Sequence, residues 1–237
     1  MQMRISVTDL EAFRYYTTSE DMTLSAFLRR LLRLEPPSEK MQAGIAFHKI
    51  LEKLSKGEVV SQPEPGVYEY DGWFFDTQGI TIRLQKPDCH EIKLERSCQI
   101  NGHAVTLVGI ADALLGNQII EYKTTYNLDM PRHMDSLQWR AYCVMFGHMA
   151  RSVRFEFFHL RPGHDAQHIW VKDQSWALCH RYLAIEQDVQ RALTEYMDFL
   201  EHLIRQRYLH VHMGEKIRLE PGSRLKEMEA ADVSLQD

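Results

Sequence analysis

Disulfides and metal ribbons are the first things this sequence lacks: its four cysteines, Cys89, Cys98, Cys143 and Cys179, stand far apart with no Cys-x-x-Cys pair among them. That spacing excludes a zinc ribbon and a disulfide-stapled mini-fold, and leaves free thiols as the expectation. Long apolar runs are missing too, and Met1-Gln2-Met3-Arg4 leads into no apolar stretch. No membrane span and no secretory signal are therefore expected, and the cytoplasm is the default location. No Gly-x-x-x-x-Gly-Lys-[Ser/Thr] phosphate loop occurs, so any nucleotide-driven motor must be a separate chain. Positive charge is not in excess: 28 Lys and Arg against 33 Asp and Glu give a formal net charge of −5. Bulk electrostatics offer nucleic acid nothing, and such binding must be local. With 12 Gly, 8 Pro, 44% apolar and 26% charged residues, the chain also falls outside the disordered, collagenous and low-complexity classes.

What is present reads as a single domain over residues 1–213. Residues 5–34 carry short helical patterns with caps at Thr8 or Asp9 and at Thr23, within an N-terminal helical segment, 1–38, that ends at Glu35-Pro36-Pro37-Ser38. From Glu39 to Lys56, Phe47, Ile50, Leu51 and Leu54 recur at helical spacing and Gly57 stops the pattern. Between Pro63 and Thr125 the texture is that of strands: 68–75, 79–85, 91–99, 103–115 and 118–125, parted by turn residues, which reads as an antiparallel meander. A helix is expected from about His133 to Met149, then strands at 152–160 and 166–173. Residues 175–208 hold no Gly or Pro and space their apolar residues three and four apart, predicting a long C-terminal helix, laid on its own sheet or serving as an oligomer seam. Residues 214–237 read as a polar tail.

The hairpin 103–125 carries the chemistry. If Gly116-Asn117 is a two-residue turn, Leu115 faces Gln118 and Asp112 falls opposite Glu121. Alternation brings Lys123 to the side of Glu121, while Ile120 and Tyr122 point away. Facing carboxylates repel and are costly to bury, so the pair asks for a cation, and oxygen donors favour Mg²⁺, Mn²⁺ or Ca²⁺. The same residues also suit a plain hairpin, with Glu121 and Lys123 on the solvent face and Asp112 near a strand end; the register alone does not choose.

The run Gly109-Ile110-Ala111-Asp112 followed by Ile119-Ile120-Glu121-Tyr122-Lys123-Thr124-Thr125 resembles the bipartite active site of the PD-(D/E)XK nuclease superfamily. Upstream, Gly44-Ile45-Ala46-Phe47-His48-Lys49-Ile50-Leu51-Glu52 resembles the helix-borne His of its RecB-like branch. Downstream, Gln138-Trp139-Arg140-Ala141-Tyr142 is similar to that branch's Gln-x-x-x-Tyr signature. The four elements stand in the family's order over about residues 40–145. The iron–sulfur cysteines of some relatives are missing, so no such cluster is expected.

The resemblance implies a restriction-endonuclease-like α/β fold, a mixed and mostly antiparallel central sheet flanked by helices. It implies a Mg²⁺- or Mn²⁺-dependent deoxyribonuclease, an exonuclease acting in recombination, repair or phage-type DNA processing, with DNA as substrate and a separate helicase or recombination protein as a partner. On that view Asp112, Glu121, the Tyr122 carbonyl and His48 hold the metal, Lys123 positions water, and Gln138 and Tyr142 support the site. Glu95 stands where the family often has an acid. Lys49, Lys53 and Lys56, Arg29, Arg30 and Arg33, and Arg132 and Arg140 are the candidate phosphate contacts. The other reading is a nuclease fold that binds DNA or docks a partner without turnover, and a third is hydrolysis of a smaller phosphoester.

Overall fold

The computed structural model describes residues 2–213 and 217–233. The chain packs as two compact units, each discontinuous in sequence.

The first unit comprises Met1–Pro36, Glu95–Gly109 and Leu183–Asp237. It opens with a strand, β1 (Gln2–Ser6), where only helix was expected, followed by α1 (Val7–Thr18) and α2 (Leu24–Leu31). Ser6 and Thr23 cap the two helices by accepting the backbone N–H groups of Asp9 and Ala26, so Thr8 and Asp9 lie inside the first helix. β1 runs parallel to Ala104–Val108. The last helix of this unit is Ile185–Arg205, and its buried stripe includes Val189, Leu193, Tyr196, Leu200 and Leu203. The expected helix over 175–208 thus begins ten residues late. Residues 175–180 finish a strand instead, with Ala177 and Cys179 buried between exposed Trp176 and His180, a period of two that a helical count through Leu178 and Tyr182 runs over. Nor is the stretch beyond it only a polar tail. Ile217–Pro221 pairs antiparallel with Leu209–Met213, and the helix Ser223–Val233 buries Leu225. Residues 214–216 and 234–237 lie outside the described residues.

The second unit, Pro37–Leu94 and Ile110–Tyr182, holds the residues singled out for chemistry. Its first helix, α3 (Glu39–Lys56), has the expected bounds, with Ser38 capping the start and Gly57 at φ +74° ending it in the left-handed region. Short strands β2 (Ser61–Glu64), β3 (Val67–Tyr70) and β4 (Trp73–Asp76) follow, then β5 (Cys89–Ile100) and β6 (His103–Leu115), which belong to this unit up to Leu94 and from Ile110 on, and β7 (Gln118–Thr125). No strand forms over 79–85. The helix expected at 133–149 is broken at Asp135-Ser136 into α4 (Met130–Met134) and α5 (Leu137–Phe146), with a 3₁₀ turn at Gly147–Met149. β8 (Ser152–Pro162) and β9 (His168–His180) complete the unit.

The sheet is mixed and mostly antiparallel, ordered β6, β7, β8, β9, β4, β3, β2 within this unit, with helices on it. The strands of 63–125 do not form one meander, because β4 pairs with β9 instead of the strand that follows it in sequence; β7 and β8 also run parallel. A parallel pair needs a crossover, and α4 and α5 supply it. β7 is buried on both faces: Ile119 and Ile120 are each sequestered although they point opposite ways. On one face α3 packs Phe47, Ile50 and Leu51 against Phe75, Ile120, Tyr122 and Phe158. A Cβ on Gly44 would stand 2.9 Å from Thr124 Oγ1, so the missing side chain lets α3 lie close on β7.

Among the described residues no helix is long and apolar enough to cross a membrane. All four cysteines are free thiols, and Cys143 and Cys179 are buried.

Phe47 is fully buried between Phe75 and Phe158. Phe47→Ala is expected to cost about 3–5 kcal/mol in urea denaturation. Ile45→Ala, on the exposed side of the same helix, should shift stability by no more than about 0.5 kcal/mol.

Candidate active site

The hairpin closes at Gly116, whose φ of +57° belongs to the left-handed region that a tight reversal demands. Leu115 pairs with Gln118, Leu114 with Ile119 and Ala113 with Ile120, the register anticipated from the turn. One step further the Asp112 carboxylate accepts the Tyr122 backbone N–H through Oδ2 at 2.7 Å. Asp112 is thereby fixed to β7 at the residue after Glu121.

Glu121 is buried, with 5% of its surface exposed. Its Oε1 accepts from Lys123 Nζ at 3.0 Å and from Gln138 Nε2 at 2.6 Å. Lys123 Nζ also donates to Gln138 Oε1 at 2.7 Å, so Glu121, Lys123 and Gln138 close a ring of three hydrogen bonds. Gln138 Nε2 lies 3.1 Å from the Tyr142 hydroxyl oxygen, and that hydroxyl donates to the Ile110 carbonyl at 2.8 Å. Gln138 and Tyr142 are one turn apart on α5, which explains why both polar tips reach β6 and β7 from an otherwise apolar helix face.

The ring satisfies only half of the Glu121 carboxylate, because Oε2 is buried and has no hydrogen-bond partner. Burial, reinforced by Asp112, pushes the Glu121 carboxyl well above the usual carboxylate range, against the pull of Lys123. Asp112 is raised as well, first by burial, while Lys123 and the Tyr122 N–H oppose the shift. Asp112 is near enough to raise the Glu121 carboxyl by its charge, and two destabilised acids, one with an orphaned oxygen, have the donor chemistry that a hard divalent ion repairs.

His48 of α3 brings Nδ1 to 4.0 Å from Asp112 Oδ2, beyond hydrogen-bond range. The ring stands in the wall of a cavity, with one edge toward solvent. Crowding by protein, and then Lys123, push its pKa down to about 4, so the imidazole is neutral near pH 7 and keeps a lone pair. The cavity has a volume of about 560 Å³, and His48, Asp112, Tyr122, Thr124 and Tyr126 are among its lining residues. Glu121, Lys123, Gln138 and Tyr142 do not line it.

Two acids missed by sequence reasoning also line this cavity, Glu52 and Glu91. Lys49 Nζ donates to both at 2.8 Å, and Lys56 Nζ reaches Glu52. Burial would raise Glu52, but the bonds from Lys49 and Lys56 outweigh it and hold the carboxyl low. Glu91 has φ +49°, an uncommon conformation for a residue with a side chain. Glu52 was legible as the residue one turn beyond His48 on the same helix; Glu91 had no comparable signal.

The expected basic patches are largely neutralised from within. Besides Lys49 and Lys56, Arg29 pairs with Glu35 and Arg140 with Asp135. Lys53 lies over the Tyr70 ring. Glu95 is paired with Arg4 inside the first unit. Lys40, also at the cavity, sits over the Tyr126 ring at 5.4 Å.

No protein-family model and no curated protein sequence matches the chain. Among solved structures it is similar to LHK-Exo, determined in complex with dAMP, at 14% identity and a TM-score of 0.45, over 85% of this chain and 90% of that one. It is also similar to a phage-related exonuclease from Haemophilus somnus 129PT, at 8% identity and a TM-score of 0.47, over 87% of this chain and 97% of that one.

Because the orphaned Glu121 oxygen should be relieved by a cation, Mn²⁺ at a hundred times its dissociation constant should stabilise the wild-type protein by about 2.7 kcal/mol. Glu121→Gln should lose most of that increment while staying within about 1 kcal/mol of wild type in chelator, since it removes a strained buried charge. Calorimetric melting with and without Mn²⁺ measures both.

Proposed function

We propose that this chain is a metal-dependent nuclease acting on DNA, of the PD-(D/E)XK type and similar to RecB-like exonucleases. The observation that carries the reading is the half-satisfied Glu121 carboxylate, locked by Lys123 and Gln138 on one oxygen and bare on the other, with Asp112 beside it. An oxygen left bare on a buried, raised carboxylate is free to accept an ion.

In this reading Asp112, Glu121 and the Tyr122 carbonyl hold Mg²⁺ or Mn²⁺, and the neutral His48 adjoins or completes the set. A divalent ion held there would offset negative charge on a phosphodiester and bring bound water within reach of deprotonation near neutral pH. The chain's own groups do the positioning. Lys123 presents a fixed ammonium that orients and polarises water and opposes charge gathering on the phosphoryl oxygens. Gln138 keeps that ammonium and the Glu121 carboxylate in one ring of hydrogen bonds, and Tyr142 anchors Gln138 to the backbone two residues before Asp112. Lys40, on the cavity wall over Tyr126, is placed for an incoming strand.

Cleavage of end-labelled linear DNA in Mn²⁺ should be abolished by chelator and fall at least about a hundredfold in Asp112→Asn and Lys123→Ala. Wild-type rates in either variant would overturn the assignment. Binding indifferent to chelator, with no cleavage in any divalent ion, would identify a non-catalytic DNA-binding module instead. Survival of covalently closed circles while linear DNA disappears identifies an exonuclease.

A further inference from the structure

The second unit carries another group of metal-binding side chains, in the reversal between β8 and β9. Pro162 ends β8, His168 begins β9, and His164, Asp165 and His168 each bring a ligand atom within 4.8 Å of the others. His164 Nε2 lies 3.3 Å from Asp165 Oδ2, and His168 Nδ1 lies 2.7 Å from Asp165 Oδ1. Two imidazole nitrogens therefore face the two oxygens of one carboxylate. A tetrahedral ion with bonds of about 2.0–2.2 Å spans donor-to-donor edges of about 3.3–3.6 Å; the 3.3 Å between His164 and Asp165 matches, and the 2.7 Å hydrogen bond between His168 and Asp165 has to open by about half an ångström to admit the ion.

The reversal is shaped without any ion. Gly163 N–H donates to the His168 carbonyl at 2.7 Å, and a Cβ on Gly163 would lie 2.5 Å from that oxygen, so only glycine permits the closure. Asp165 Oδ1 accepts the backbone N–H groups of Gln167 at 3.0 Å and His168 at 2.9 Å, which fixes the carboxylate. The His168 ring is stacked on Phe74 at 4.7 Å and 11°, and the His164 ring lies 3.9 Å from it. His168 is also tied to β4, where it pairs with Phe74. Since backbone bonds and ring stacking order these groups beforehand, a bound ion recovers its ligation energy without the usual cost of ordering a loop.

We propose that His164, Asp165 and His168 form a binding site for a zinc-like transition-metal ion, separate from the Asp112 and Glu121 carboxylates and independent of the nuclease reading. The donor set decides the ion. Two imidazoles and one carboxylate suit Zn²⁺, Ni²⁺ or Cu²⁺ and compete poorly for Mg²⁺, whereas the buried acids of the hairpin site suit the harder ions. The side chains of His164, Asp165 and His168 are 67%, 45% and 30% exposed, so an ion from solution can reach them. Binding requires each imidazole to present a lone pair, with His168 releasing its Nδ1 proton and keeping the one on Nε2, and the remaining coordination positions filled by water. An ion there would cross-brace the reversal onto β4 through His168.

The test uses the full chain carrying Asp112→Asn and Glu121→Gln, which removes the hairpin carboxylates as competing ligands. Titration with Co²⁺, read by its visible absorption, should show one bound equivalent that Zn²⁺ displaces and Mg²⁺ does not. Adding His164→Ala or Asp165→Asn should weaken Co²⁺ binding at least tenfold. Asp165→Asn keeps an oxygen for the two backbone N–H groups, so its melting temperature in chelator should stay at the parent value and separate lost ligation from lost structure. Absence of Co²⁺ binding to the parent, or binding unchanged by both added substitutions, would overturn the proposal.

Discussion

The second unit depends on one awkward charge, the Glu121 carboxylate, placed on a strand that is buried on both faces. Water cannot solvate it there, and the protein answers with an ammonium two residues along the strand and a carboxamide from α5. Those two groups also bond each other, Lys123 donating to the Gln138 carbonyl, so moving either alone leaves a buried polar group stranded. Tyr142 then ties the arrangement to the backbone of β6 next to Asp112. The parallel run of β7 beside β8 serves the same end, because the crossover it requires is the helix that delivers Gln138 and Tyr142.

Half of this was legible in the sequence, and for a physical reason. A two-residue turn with glycine in the left-handed region fixes the register of a hairpin, so the pairs from Leu115–Gln118 to Ala113–Ile120 follow from counting, and they carry Asp112 to the start of the next pair. α3 was equally legible, since its apolar spacing and its terminal glycine agree, and the Ser38 cap in the structure falls at the same boundary. The misreadings share a cause as well. Residues 175–180 satisfy helical and strand periods together, and only pairing with β8 decides between them. Residues 79–85 alternate like a strand but find no partner ladder. Parallel pairing of β7 with β8 and the approach of Glu91 to Lys49 are long-range facts with no local signature.

Charge was the least legible property. Runs of Lys and Arg around α3 suggested a phosphate groove, yet Lys49 and Lys56 are spent on Glu52 and Glu91, which are themselves part of the cavity wall. The result is a mixed and tightly paired rim around Asp112 and His48 rather than a positive field. Such a rim positions groups with little tolerance but attracts a polyanion weakly.

The most direct measurement is a crystal soaked in Mn²⁺ and recorded at a wavelength where manganese scatters anomalously. The account predicts an anomalous peak touching both the free oxygen of Glu121 and the Asp112 carboxylate, with Lys123 and Gln138 unmoved. A soaked crystal with no peak at those two oxygens, or with Glu121 Oε2 instead bonded to an ordered water and a protein donor, would contradict it.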